Sequence, residues 1–340
     1  MKTWRSWSTL LLGLAAVVAL SLATTVILTV RDKPSSPRSR PDTAPSPPVA
    51  MAPAPAPAPS GGPGQAQPEA LTGCTAQVTD GAAMTQALSS AAPGARICLA
   101  GVLSPARLTV QHSGTADRPI TILGGGKAVT SGITVEADHV VIDGVIAQQP
   151  KAPGISLKGS NITVKNSASL SPQGGDGDGI RFWGSDIKIL HNTVRDTRGT
   201  ERRHADCMQT FATDESHPAS QNVLIDSNRC EKIDNICLIA EGPNSEAGDG
   251  SGEGRSTNFV FSNNYCDNGA GQALFIDDVS NVQVINNDVV GKVNKAFAFQ
   301  NDSTDATVAR NRIAPGIRYE VGIDDSSERG YKGPEPGGGP

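Results

Sequence analysis

Between Ile120 and Ile313 one short pattern, apolar-x-apolar-x-x-Asn-x-apolar, keeps returning, and a repeat of this kind confines the chain to folds that stack one unit on the next. Clear copies run over 187–194, 223–230, 259–266, 282–289 and 306–313, with degenerate ones starting at Ile120, Val140 and Ile162. From first apolar position to first apolar position the steps are 20, 22, 25, 36, 36, 23 and 24 residues. A basic unit is therefore twice enlarged, and the enlargements, Arg195 to His204 and Pro243 to Ser256, are where function is to be sought. Loops carried on a rigid solenoid commonly wall a binding groove.

The chain around this array divides by composition. Leu10 to Val30 is almost wholly apolar, with Lys2 and Arg5 before it and Arg31 and Lys33 after it. That is a membrane-inserting segment, either a signal anchor or a cleaved signal peptide. Residues 31–70 are rich in Pro, Ala and Ser and read as an extended, disordered tether. The repeat domain is expected over 71–318, and 319–340, ending in prolines and glycines, as a disordered tail. The bulk of the chain is then extracellular or displayed at the cell surface, reaching the membrane through its N-terminal segment. A net charge of -5 offers no basic footprint for nucleic acid, and a monomer is expected.

Each unit carries a second short apolar stretch about ten residues after the Asn, or later where the unit is enlarged, as in Gly154–Leu157, Gly179–Phe182 and Cys207–Thr210. Strands of four or five residues, alternating with period two and separated by Gly, Asn and Asp, suit the coils of a solenoid. The spacing, the Asn at the turn and a helix-like segment from Asp80 to Ala92 together resemble the right-handed parallel β-helix of the pectate lyase and polygalacturonase superfamily. The resemblance covers roughly residues 74 to 315. It implies an all-β parallel β-helix whose N-terminal helix caps the open end of the core. It also implies an asparagine ladder of Asn166, Asn192, Asn228, Asn264, Asn287 and Asn311.

Six cysteines in an exported chain favour disulfides. Cys74 and Cys98 bracket the helix-like segment and form the simplest pair. Alignment of the units stacks Cys207 on Cys237 and Cys230 on Cys266, each pair either bonded between rungs or left as small buried thiols.

Between the enlarged units lies the densest polar constellation of the chain. Alignment places Asp176, His204 and Asp234 in one column and Asp178, Asp206 and Ile236 in the next. Arg181 and Gln209 share an outward column, as do Trp183, Phe211, Glu241 and Asp277. Two stacked carboxylates repel, which is relieved by a bound cation or by one raised pKa. Asp176, Asp178, Asp206 and Asp234 are thus candidate ligands for Ca2+, and Asp178 with Asp206 a candidate acid and base for glycoside hydrolysis. The segments Asp178-Gly-Ile and Asp206-Cys look like the catalytic aspartates of polygalacturonases. Asp176 and Ala205 depart from that pattern, and its later Gly-His-Gly and Arg-x-Lys are missing. His204-x-Asp206-x-x-Gln209 looks more like a segment of β-helix polysaccharide lyases and epimerases.

The leading expectation is an enzyme that cleaves an acidic, uronate-containing polysaccharide by β-elimination. His204, Asp206, Asp178 and Arg181 are its candidate catalytic residues; Gln209, Trp183, Phe211, Glu241 and Asp277 are its candidate substrate contacts. The alternatives are an Asp178/Asp206 glycoside hydrolase and a glycan-binding β-helix without activity. Each residue also has a plainer reading: Asp178 and Asp206 as turn caps, and Arg181 as a surface partner of Asp206.

Overall fold

The computed structural model describes residues 66–200, 204–245 and 254–340. The apolar segment Leu10 to Val30, most of the Pro/Ala tether and part of each enlarged unit lie outside the described residues. No helix among the described residues is long and apolar enough to cross a membrane.

Among the described residues twenty-five strands, Ala76–Val78 to Tyr319–Ile323, pair in parallel, each with its counterpart one rung away. The repeat sets the register. Ile120 pairs with Val140, Val140 with Ile162, and Val223 with Phe259 and then Val282. The next inward position forms a buried column of Ile122, Ile142, Val164, Ile189, Ile225, Phe261, Val284 and Val308. Apolar side chains thus touch along the solenoid axis, where their burial stabilises by about 25 cal/mol per Å2.

Corners between strands are set by residues in the left-handed region. His139, Asn161, Asp186, Asn222, Asn258, Asn281 and Asp305 have φ between 54° and 62°, each one residue before the first apolar position of a copy. A second set, including Asn166, His191, Ser227, Asn263 and Asn286, precedes each ladder position. Asn and Asp tolerate this conformation because their short polar side chains bond locally. The pattern in sequence is therefore as much a corner pattern as a core pattern.

The asparagine ladder runs through Asn192, Asn228, Asn264, Asn287 and Asn311, each amide after the first accepting from the backbone N–H and the side-chain amide of the Asn one rung before it. Asn166 is not a member. It occupies the corner just before the ladder position and donates to Asp143, while Ser167 takes the place in the ladder, its N–H donating to Asn192. The expected position is one residue early because a corner Asn and a ladder Asn look alike in sequence.

The helix Gly81–Ser89 lies within the expected cap, started by Asp80, whose side chain accepts from the Ala83 N–H. Met84 and Leu88 are its buried residues. The opposite end corrects the sequence reading. Residues 319–340 are not a structureless tail: Tyr319–Ile323 is a strand paired with Lys295–Gln300, and bridges join Thr307 to Lys332 and Gly322 to Gly338. The segment covers the last edge of the solenoid with backbone hydrogen bonds, and Val321 and Ile323 extend the buried core over Phe297 and Phe299. Gly322 fits because a Cβ there would meet the Gly339 carbonyl.

Cys74 pairs with Cys98, joining the segment before the helix to the strand after it. The other two disulfides differ from the stacked expectation. They join Cys207 to Cys230 and Cys237 to Cys266, across the interior of single rungs and not between rungs. Register does stack Cys230 on Cys266, as the repeat requires. All four side chains point into the coil, however, and positions facing one another across it lie close. One rung earlier a Cβ on Gly179 would collide with Val194, the pair equivalent to Cys207 and Cys230. Small residues are needed on one side at this level, and cysteine pairs replace the small-to-large pairing in two rungs. Peptide mapping without reduction should recover 207–230 and 237–266 links; recovery of 207–237 or 230–266 peptides would contradict the cross-coil arrangement.

Candidate functional site

The segments that begin the strands Ile180–Ser185 and Met208–Phe211 carry Asp178 and Asp206. Arg181 pairs in register with Gln209 on the outward face, and Phe211 with Glu241 and then Asp277. Asp178 and Asp206 stand on successive rungs, linked where the Asp206 N–H donates to Asp178 Oδ1 at 2.8 Å. The same link recurs one rung on, where the Ile236 N–H donates to Asp206 Oδ1 at 3.0 Å.

Both carboxylates are enclosed, their side chains 1% and 0% exposed, and each holds a more accessible group in front of it. Asp206 Oδ2 lies 2.9 Å from Nδ1 of His204, whose side chain is 51% exposed. A carboxylate only accepts, so Nδ1 carries the hydrogen and Nε2 is the nitrogen left for a ligand. Asn235 Nδ2 donates to Asp206 Oδ1 at 2.7 Å and fixes the carboxylate from the far side. Asp178 Oδ2 accepts from Arg181 Nε at 2.7 Å, and Arg181 Nη2 is 2.5 Å from Asp176 Oδ2. The Nη1 donors take no part in either pair.

The electrostatics follow from this enclosure. The hydrogen bond to Asp206 outweighs partial burial and pushes the His204 pKa up to about 8. Burial, reinforced by the charge of Asp206 and opposed by Arg181, pushes Asp178 up to about 6. The His204 imidazole and the Asp178 carboxyl thus titrate on either side of neutrality in one cluster, a setting suited to proton transfer.

Several expected roles change. Arg181 pairs with Asp176 and Asp178, not with Asp206. Asp234 is drawn away from the cluster, accepting from the Gly199 N–H at 2.9 Å while its own N–H donates to Thr197 Oγ1. It clamps the loop that leads to His204. Asp176 is an ion-pair partner of Arg181, so the four aspartates do not converge as a ligand set. The described residues instead bring ligand atoms of Asp178, His204 and Asp206 within 4.8 Å of one another. That set does not fit Ca2+, which takes six to eight oxygens. It offers one imidazole and two carboxylates whose oxygens already serve Arg181, His204, Asn235 and two backbone N–H groups.

Trp183 is buried, its Nε1 donating to the Phe211 carbonyl at 2.9 Å and its ring edge-on to Phe211 at 5.3 Å, so it supports the site instead of offering a stacking face. Asp277 is buried and accepts from Gln300 and Asn301, a structural role. Glu241 sits on the outward face between Phe211 and Asp277. Gln209 is 5% exposed, and its Oε1 has no hydrogen-bond partner. A buried amide oxygen left unpaired costs about 1–3 kcal/mol. Sequence reasoning missed His217, whose ring lies 4.9 Å from Trp183 and 5.3 Å from Phe211. Its turn from Asp214 is signalled only by Asp-Glu-Ser-His, with nothing to place it against the aromatic pair.

The chain belongs to the right-handed β-helix family: residues 125–313 match the model described as "Right handed beta helix region". No curated protein matches the sequence. Among solved structures, a PL6-family alginate lyase, AlyGC, is similar at 17% identity and TM-score 0.49, over 72% of this chain and 40% of that one. The pectate lyase Pel9A is similar at 14% identity and TM-score 0.45, over 73% of this chain and 72% of that one. The GH136 lacto-N-biosidase from Eubacterium ramulus is similar at 13% identity and TM-score 0.47, over 71% and 51%. This chain thus spans well under half of the alginate lyase.

Proposed function

We propose that the protein is an extracytoplasmic polysaccharide lyase that cleaves a uronate-containing chain by β-elimination at His204. The observation that carries this reading is the layered arrangement of charge: enclosed carboxylates behind, His204 and Arg181 in front. His204 Nε2 takes the proton next to the sugar carboxylate, the C4–C5 double bond forms, and the C4–oxygen bond breaks. The leaving oxygen takes up a proton from the imidazolium so formed or from water. Arg181 donates to the substrate carboxylate from its Nη1 edge and stabilises the charge that develops there, a role that needs no calcium. Gln209 supplies an amide one strand away from Arg181. Asp206 and Asp178 are positioning residues.

A paired-aspartate hydrolase needs both carboxyl groups against the sugar, and the enclosure of Asp178 and Asp206 favours the lyase over it. Three disulfides support an oxidising compartment, and the N-terminal apolar segment supplies the membrane contact in this reading. Incubation with a panel of uronate polymers, with and without chelator, should give products with the ultraviolet absorbance of an unsaturated uronate in both conditions. New reducing ends without that absorbance would identify a hydrolase instead.

A further inference from the structure

We infer that the substrate runs from the His204–Arg181 centre toward the N-terminal rungs, and that Lys158 binds the carboxylate of a neighbouring sugar there. This rests on the reading of the site as uronate-binding and assigns a residue to which no role has yet been given. In the strand Ile155–Ser160, Ile155 and Leu157 point into the core, so Ser156 and Lys158 point outward by alternation. Register pairs Ser156 with Arg181 and Lys158 with Trp183, which places Lys158 one rung N-terminal to Arg181 and two residues further along the strand. Among the described residues the Lys158 ammonium has no carboxylate within 4.0 Å.

The face on that side is cationic in a second place. Arg107 directs its guanidinium to Thr134 Oγ1 and to the carbonyls of Ile133, Lys151 and Pro153, with no carboxylate partner among the described residues. Glu136 lies one rung beyond Lys158 and takes a hydrogen bond from Gln111. On the C-terminal side of the centre, the column that holds Lys158 continues as Glu241 and Asp277. The position of this column next to the centre is thus cationic on the N-terminal side, at Lys158, and acidic on the C-terminal side, at Glu241. An acidic polymer is attracted to one direction and repelled from the other. The small number of aromatic residues fits recognition by charge more than by stacking.

The test is direct binding of a di-uronate and a hexa-uronate, prepared from oligogalacturonate and from alginate, to the full-length chain carrying His204→Ala, so that turnover does not intervene. Adding Lys158→Ala should weaken hexamer binding roughly tenfold at low salt, the loss of one charge-assisted contact. It should leave dimer binding unchanged, and Lys158→Arg should retain hexamer binding. Equal hexamer affinities with and without Lys158, equal losses for dimer and hexamer, or no uronate binding at all would overturn the inference. Failure of the lyase reading looks different: hexamer binding that depends on Lys158, with no unsaturated product from the wild-type chain, removes the elimination chemistry and keeps the subsite.

Discussion

Replacing His204 by Ala should lower kcat/KM on a uronate polymer by about 10^2- to 10^4-fold, the range for loss of a positioned proton-transfer group. The pH profile gives the sharper test. As a base, His204 works only without its proton, so activity should rise with pH through about 8, where the bond to Asp206 places its titration. On the acid side Asp178 takes up a proton at about 6, weakening its hold on Arg181, and activity should fall further below that pH. Asp206→Asn tests whether Asp206 positions His204 and sets its titration. The amide can still accept from Asn235 and the Ile236 N–H, so the fold is kept, but its NH2 no longer accepts from Nδ1. Without the carboxylate the alkaline limb should move down toward the ordinary imidazole value of 6.5, and the plateau should fall by about 10^2 or more as the tautomer is lost. A limb that stays in place in Asp206→Asn would show that some other group titrates, and would end the case for His204 as the base.

How much of this was legible in the sequence differs between the backbone and the side chains. The repeat fixed which strands lie over which, and with it the columns Asp178–Asp206 and Arg181–Gln209, because register in a solenoid is set by counting apolar positions. Counting does not say how far a side chain reaches. Cys207 was legible as a neighbour of Cys237 along the axis. The shorter path to Cys230 runs across the coil, and its length depends on a cross-section that no spacing reveals. Asp234 was equally visible as a member of the Asp176 column. Its oxygen turns to the Gly199 N–H because the enlarged unit brings an unpaired donor there. The C-terminal segment departs from its sequence expectation for a different reason. Pro and Gly signal the absence of a packed core, yet Val321 and Ile323 of the short alternating run Tyr319–Ile323 enter the core, and backbone bonds to the last rung order the Gly- and Pro-rich remainder.

The ladder makes the largest structural prediction. Asn228 is fully buried; its Oδ1 accepts from the Asn192 N–H at 2.8 Å, and its Nδ2 donates to the Ile189 carbonyl at 2.8 Å and to Asn264 Oδ1 at 3.0 Å. In Asn228→Ala the Asn192 N–H and the Ile189 carbonyl remain enclosed and lose their partner. Each such group costs about 1–3 kcal/mol, so equilibrium unfolding in denaturant should show a loss of about 2–5 kcal/mol. Asn228→Asp should be at least as damaging, since a carboxylate cannot donate to Ile189 and would face the Asn264 oxygen at hydrogen-bond distance. The control is Asn222→Gly. Asn222 sits in an exposed corner with φ of 55°, where its amide donates to the Asp186 side chain and accepts from Asn258 Nδ2, both bonds open to water. Glycine accepts that backbone conformation, so the change should stay within about 0.5 kcal/mol. The contrast follows from burial alone, because both asparagines belong to ladders that run along the solenoid. If Asn228→Ala proved no more costly than Asn222→Gly, the inner ladder would not be what satisfies the turn backbone, and its regular spacing would need another cause.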